Sequence, residues 1–267
     1  MTLAAESDPR TSPLAYRPDI DGLRALAVVS VVLFHAGLGV FSGGFVGVDV
    51  FFVISGYLIT AIIHGQLARG RFSIVDFYDR RIRRIFPALF AVVLTSVAVA
   101  WVWMMPFDLQ GFGSNLAAMA GFASNFYFCK TGYFDGGADI MPLMHTWSLA
   151  VEEQFYVVFP LLFALLARRG VAATRWGLAV LLAASLVANL LGVRDNPKFA
   201  FYMPWQRAWE LLVGSILALG WLPAVTSRAL RELLAVLGAV AIAFAVFVLD
   251  GETPPHGIDA AQGAQKS

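Results

Sequence analysis

The chain has 267 residues, 59% of them hydrophobic and 14% charged, with a mean hydropathy of +0.72. A soluble domain carries roughly 25% charge and about 45–50% apolar residues, so the composition excludes an ordinary globular protein. The formal net charge of +1 gives no ground for a nucleic-acid partner, and one cysteine, Cys129, excludes a disulfide framework and a cysteine-rich metal site.

The first 20 residues hold Pro9, Pro13 and Pro18 and no apolar core of 7–15 residues. They read as a cytoplasmic leader without a cleavable signal peptide. Measured against the roughly 20 residues a bilayer crossing needs, the apolar runs predict spans at 23–40, 45–63, 85–105, 145–167, 176–193, 204–221 and 232–249. An eighth run at 111–128 is short and studded with Gly, Ser and Asn. Continuous apolar runs exclude the alternating pattern of a membrane barrel, so the fold class is all-α, a polytopic transmembrane bundle. The predicted loop 64–84 carries Arg69, Arg71, Arg80, Arg81, Arg83 and Arg84, which places it and the N-terminus in the cytoplasm. Basic loops at 168–175 and 222–231 fall on the same side only if 111–128 is re-entrant or interfacial, and that is the expected arrangement. The resulting organisation is a leader at 1–20, a transmembrane domain at 21–249 and a polar tail at 250–267. No internal repeat stands out, which speaks mildly against the many transporters built on repeated halves.

Within the first span Arg24 and His35 are eleven residues apart. At ~100° per residue they return to within about 20° of one helix face, roughly 16 Å apart along the axis. Ionisable groups inside a span are expensive and usually functional. An imidazole can accept and return a proton, which makes His35 the candidate base; the plain alternative is a structural histidine. Arg24 can hold an anion or a carboxylate on another helix, or simply snorkel to the surface. Asp49 in the second span needs a partner, for which Arg24 and His35 are the candidates, whether for catalysis or for packing. Glycines 43, 44, 47 and 56 allow close helix approach.

The cluster Arg80-Arg-Ile-Arg-Arg-Ile-Phe-Pro suits a polyphosphate or anionic headgroups, or serves only as a positive anchor. Arg81 and Arg84 share a face if the helix begins early. In His145-Thr-Trp-Ser-Leu-Ala-Val-Glu-Glu-Gln-Phe-Tyr, two adjacent acids diverge by ~100°. One is expected to enter a polar cavity and the other to face the surface. Arg207 and Glu210 read as an intrahelical ion pair. No P-loop, nucleophile elbow or metal-spaced histidine cluster occurs, and His64 and His256 are expected to be solvated.

These residues together resemble acyltransferase family 3, integral-membrane enzymes that O-acylate surface glycans and antibiotics. The first span, with Arg24 and His35, is similar to the family's Arg-x10-His opening. Gly44-Phe-Val-Gly-Val-Asp-Val-Phe-Phe-Val-Ile-Ser-Gly-Tyr-Leu is similar to its second span, and Arg81 and Arg84 to its Arg-x-x-Arg loop. Trp147-Ser-Leu-x-Val-Glu-Glu-Gln-Phe-Tyr is similar to a later signature in which Glu152 is the characteristic acid. The likeness runs in order over about 16–220. It implies transfer of an acyl group, usually acetyl, from cytoplasmic acyl-CoA to a hydroxyl of a glycan or lipid-linked carbohydrate. The donor is a substrate, and no metal is called for. The likeness implies donor binding by Arg80, Arg81 and Arg84, with Arg24 supplying donor-phosphate contact or cavity electrostatics. His35 is then base or transient acyl carrier, and Asp49 and Glu152 orient it or the acceptor. The location implied is the inner (plasma) membrane, among membrane lipid. Similar members have ten or so spans, so this chain is expected to be truncated. A polar-solute transporter and an inactive remnant are the competing readings.

Overall fold

The structure, a computed structural model, describes residues 17–131, 143–221 and 225–249. Among these residues the regular structure is helical, with no strand. The α-helices are α1 (Pro18–His35), α2 (Gly47–Ala68), α3 (Ile74–Trp103), α4 (Pro106–Ala120) and α5 (Ser124–Thr131). They continue as α6 (Thr146–Arg168), α7 (Val171–Asp195), α8 (Pro197–Tyr202), α9 (Pro204–Ala218) and α10 (Arg228–Val248). The all-α expectation holds. The polar tail and all but the end of the leader lie outside the described residues.

Helix boundaries follow local chemistry. Proline opens α1, α4, α8 and α9, where its missing N–H would have no partner anyway. Ser73 caps α3 by accepting from the Asp76 N–H, and Asn196 caps α8 by accepting from the Phe199 N–H. Gly170, at φ +100°, makes the two-residue turn between α6 and α7, a conformation few other residues adopt.

Several predicted loops are in fact helix. The connection expected at 64–84 shrinks to 69–73, so His64 lies in α2 and Arg80–Arg84 lie within α3. The sequence reading placed the helix start at the apolar run, yet a Ser73 cap begins it eleven residues earlier. The loop expected at 168–175 likewise shrinks to the turn at Gly170. The run at 111–128 is not one helix. It breaks between α4 and α5, where Phe122 takes a left-handed φ of +49°.

Among the described residues, five helices are long and apolar enough to cross a bilayer: Gly44–Ala68, Ile74–Trp103, Thr146–Arg168, Val171–Asp195 and Arg228–Val248. That is fewer than the seven or eight expected. α1 has 18 residues but carries Asp19, Asp21 and Arg24, and α9 has only 15. Much of the apolar surface of α3 and α7 is bare, including Leu94, Trp101, Trp103 and Leu190. Such exposure is untenable in water and suits lipid, and exposed Trp101 and Trp103 at the end of α3, with Phe107 in the first turn of α4, suit an interfacial aromatic belt. The chain is a multi-pass membrane protein.

The chain divides into two compact units, one of residues 1–54 and 223–267, the other of residues 55–222. In the first, a glycine-rich turn at 42–47 receives the backbones of α1 and α10. A Cβ at Gly44 or Gly47 would strike α1 at Ser30 or Ala27, and one at Gly43 would strike Ala245. The turn is pinned by the Gly43 N–H donating to the Val246 carbonyl at 3.0 Å and Ser42 Oγ donating to the Leu249 carbonyl at 2.9 Å. In the second unit, Ile59, Ile63, Phe77, Tyr156, Phe159, Phe163, Leu178 and Leu212 form a core joining α2, α3, α6, α7 and α9. Gly56 lets α2 meet the backbone of α9 at Leu211. The expectation that these glycines allow close approach is therefore met.

Candidate functional site

The site residues expected from sequence fall into both units. Arg24, His35 and Asp49 belong to the first; Arg80, Arg81, Arg84 and Glu152 belong to the second.

In the first unit one unbroken α1 carries Arg24 and His35, as their spacing requires. His35 sits in the last turn with its ring exposed, Nδ1 lying 2.8 Å from the Val31 carbonyl oxygen. A carbonyl can only accept, so Nδ1 carries the proton, and in the neutral ring Nε2 is left as a free base. Phe34 meets the ring edge-on at 5.2 Å. Arg24 is part-buried. Its guanidinium lies 4.0 Å from Asp21 Oδ1 on its own helix and 5.5 Å from the centre of the Phe51 ring. The carboxylate expected from another helix is thus replaced by one a turn away. Asp49 is half-buried in the first turn of α2.

In the second unit the Arg cluster and the paired acids come together. Arg81 lays its guanidinium over the Tyr156 ring, 3.7 Å from the ring centre. The Tyr156 hydroxyl donates to Oε1 of Glu152, one helical turn back on α6. Glu152 and Tyr156 are both buried. Arg80 and Arg84, on the same stretch of α3, are exposed.

Proline sets the local geometry of α6. Pro160 has no N–H, so the Tyr156 carbonyl four residues earlier loses its helical partner. The Tyr78 hydroxyl from α3 fills the gap, at 3.3 Å from that carbonyl and 2.9 Å from the Val157 carbonyl. The acidic turn of α6 is thereby stapled to the arginine turn of α3.

Beside this staple lies a cavity of about 820 Å³ whose wall is almost wholly apolar. Arg81, Glu153 and Gln154 are its main polar residues, with Phe122, Phe155 and Trp205 among its apolar ones. Gln154 is committed, donating to the Phe122 carbonyl at 2.6 Å and to Asn125 Oδ1 at 2.9 Å. Glu153 is part-buried, and its Oε1 has no hydrogen-bond partner among the described residues; nor has Arg81 Nε. The expected division of the acids is corrected here. Neither faces open surface: Glu152 is spent on Tyr156, and Glu153 lines the cavity.

Arg207 and Glu210 form the ion pair expected from their spacing, at 3.1 Å. Its burial was not foreseen. The two side chains are only 11% and 2% exposed, and Arg207 sits 5.8 Å from the Trp147 ring centre and 5.6 Å from that of Phe201. Sequence reasoning left open which of the two acids meets the cavity and gave Tyr156 no role. The Glu152–Tyr156 spacing of four was the available signal, because it puts both on one helix face. No cluster of three or more His, Cys, Asp or Glu placed to hold a metal occurs among the described residues.

A bundle of lipid-compatible helices that sets an arginine–tyrosine stack and two carboxylates beside an apolar cavity defines the class: an integral-membrane protein. A family model described as an acyltransferase domain matches residues 17–262. The chain belongs to acyltransferase family 3. It is 36% identical over 222 residues to a protein of Bacillus subtilis named YrhL, covering 79% of this chain and 34% of that one. It is 36% identical over 239 residues to the peptidoglycan O-acetyltransferase OatA of Listeria monocytogenes, covering 85% of this chain and 38% of that one. Over 215 residues it is 34% identical to the O-acetyltransferase OatA of Staphylococcus aureus, covering 78% and 35%. The chain thus spans about a third of the length of these relatives. No solved structure matches it.

Proposed function

We propose that this chain is a membrane O-acyltransferase domain of the plasma membrane. It moves an acyl group, typically acetyl, from cytoplasmic acyl-CoA to a hydroxyl of a cell-surface carbohydrate such as peptidoglycan. Family membership and the O-acetyltransferase relatives support the reaction class. The observation that carries the mechanism is His35, an exposed imidazole whose Nδ1–H is held by the Val31 carbonyl so that Nε2 is free.

His35 Nε2 takes the proton of the acceptor hydroxyl as its oxygen bonds to the acyl carbonyl carbon. The C–S bond of the thioester then breaks, and the departing thiolate takes the proton back from the imidazolium. Arg24 adds positive potential along the same helix, and Asp49 orients the reacting groups. Arg80, Arg81 and Arg84 bind the donor, the exposed pair suited to its phosphates. Glu152 acts as a positioning residue through Tyr156.

The test is transfer of radiolabelled acetyl from acetyl-CoA to glycan in membranes carrying this chain. The expected result is label on glycan that falls about 10²–10⁴-fold in His35→Ala, the usual worth of a general base. Full activity in His35→Ala removes the mechanism. Absence of transfer from acetyl-CoA, with transfer from another acetyl source, removes the donor. Proton-coupled solute flux without acyl transfer would make the protein a transporter.

A further inference from the structure

We propose that the 820 Å³ cavity, which lies wholly within residues 55–222, is a lipid site: it holds one acyl chain of an anionic phospholipid drawn from the leaflet at the basic turns. The proposal is independent of the acyl-transfer reading, because it requires no turnover.

Three observations carry it. The first is the mouth. Ile82, Phe126, Val157, Val158 and Trp205 line the cavity and are nonetheless exposed. Ile82 belongs to the span Ile74–Trp103, and Val157 and Val158 to the span Thr146–Arg168. The mouth is therefore continuous with the lipid-facing surface of α3 and α6, and hydrocarbon borders it. The second is depth. Tyr78 and Phe86 end the stretch of α3 that lines the cavity, and they lie about 6 and 18 Å beyond Ile74 at ~1.5 Å per residue. Val158 lies about 15 Å before Arg168, where α6 reaches its own basic turn. One leaflet of hydrocarbon is about 15 Å deep. The cavity thus follows the leaflet at the basic turns and closes near the midplane, at the break between α4 and α5. There the Phe122 ring lies 6.5 Å from that of Phe86, and Gln154 holds the Phe122 carbonyl. The third is polarity. Arg81 and Glu153 carry opposite charges, so the lining has no net charge. Gln154 is bonded to Phe122 and Asn125, and the Tyr78 hydroxyl to the Val157 carbonyl. A water needs two to four polar partners, and a sugar would bury several hydroxyls. A methylene chain needs none. Since lipid tails are as apolar as leucine, a chain gains little beyond packing by leaving the bilayer for the cavity. The headgroup then decides which lipid is held. It falls at the depth of exposed Arg71, Arg168 and Arg169, which favours an anionic one.

The test reconstitutes the full chain in phosphatidylcholine vesicles holding a trace of phosphatidylglycerol with a diazirine midway along one acyl chain. The vesicles are irradiated and the adducts mapped by mass spectrometry. Leu190, exposed on α7, reports contact with bulk lipid. Adducts on Ile85 and Phe122, which line the cavity, should exceed those on Leu190 several-fold. Phosphatidylcholine bearing the same diazirine should show several-fold less enrichment. Val158→Trp, at the mouth, should cut the cavity adducts several-fold and leave Leu190 labelled as before; if that variant does not fold, Ile82→Trp tests the same mouth. Adducts on Leu190 without enrichment in the cavity, or cavity adducts that a folded mouth variant leaves undiminished, overturn the chain site. Equal enrichment of the two lipids overturns the anionic headgroup. Loss of the cavity adducts on adding palmitoyl-CoA, but not palmitic acid, would assign the cavity to the chain of a long-chain thioester and overturn the phospholipid.

Discussion

At the scale of single residues, function and stability separate cleanly between two side chains. His35 is exposed at a helix end and, among the described residues, hydrogen-bonds only within its own last turn. Its replacement by alanine should leave thermal stability in detergent within about 0.5 kcal/mol, as for an ordinary surface change, while transfer collapses. Tyr156 is the reverse. Tyr156→Phe keeps the ring under Arg81 but strips the donor from buried Glu152, and should cost about 1–3 kcal/mol in thermal or denaturant unfolding. If Tyr156→Phe leaves the melting temperature unchanged, the Glu152–Tyr156 bond is not a structural element. The sequence made His35, Arg24 and Arg81 legible because charge is conspicuous in an apolar run. Glu153 was hidden, since rotation along a helix says that two neighbours diverge but not which one meets a cavity. That depends on where α3 and the break after α4 lie, and neither is encoded within α6.

At the scale of elements, α2 contains its own control experiment. A Cβ at Gly56 would collide with the α9 backbone at Leu211, whereas one at Gly65 would meet nothing within 4 Å. Gly56→Ala should therefore destabilise by about 1–3 kcal/mol or more through overpacking. Gly65→Ala should be neutral, or stabilising by up to about 1 kcal/mol through helix propensity. Equal effects in an unfolding assay would contradict the packing of α2 on α9. Pro160 and Tyr78 make a second pair. Tyr78→Phe should cost about 1 kcal/mol in the parent chain and less in Pro160→Ala, where a restored N–H can serve the Tyr156 carbonyl. An additive double-mutant cycle would show that the hydroxyl does not replace the missing helical bond. Hydropathy located the apolar helices well but misjudged their ends, because hydropathy detects the lipid-compatible stretch and not the capping chemistry that starts a helix. Ser73 and its bond to Asp76 extend α3 over the very arginines that hydropathy assigned to a loop.

At the scale of the whole molecule, the basic turns predict a topology for residues 55–222. The turn after α2 carries Arg69 and Arg71, and Arg168 and Arg169 end α6 and open the turn that follows it. For both to lie in the cytoplasm, α3 must leave and α6 return, with α4 and α5 on the far side. Cys129 in α5, the sole cysteine of the chain, can report this. A membrane-impermeant maleimide should reach it from outside intact cells and not from the cytoplasmic side. Burial pushes its thiol above the usual 9.0, with Lys198 pulling the other way. The reactive thiolate is then scarce at neutral pH, and labelling should quicken as the pH is raised. Fast labelling at pH 7, or labelling only from inside, would refute the environment or the topology respectively.

The brevity of those turns limits motion within the bilayer. Only Arg69–Ser73 separate α2 from α3, and only Arg169 and Gly170 separate α6 from α7. With so little slack, neither helix of a pair can slide far along the membrane normal without its neighbour. Each pair therefore answers a change in bilayer thickness together. Lengthening either turn with a flexible insert would uncouple the two helices before it changed any contact elsewhere in the protein.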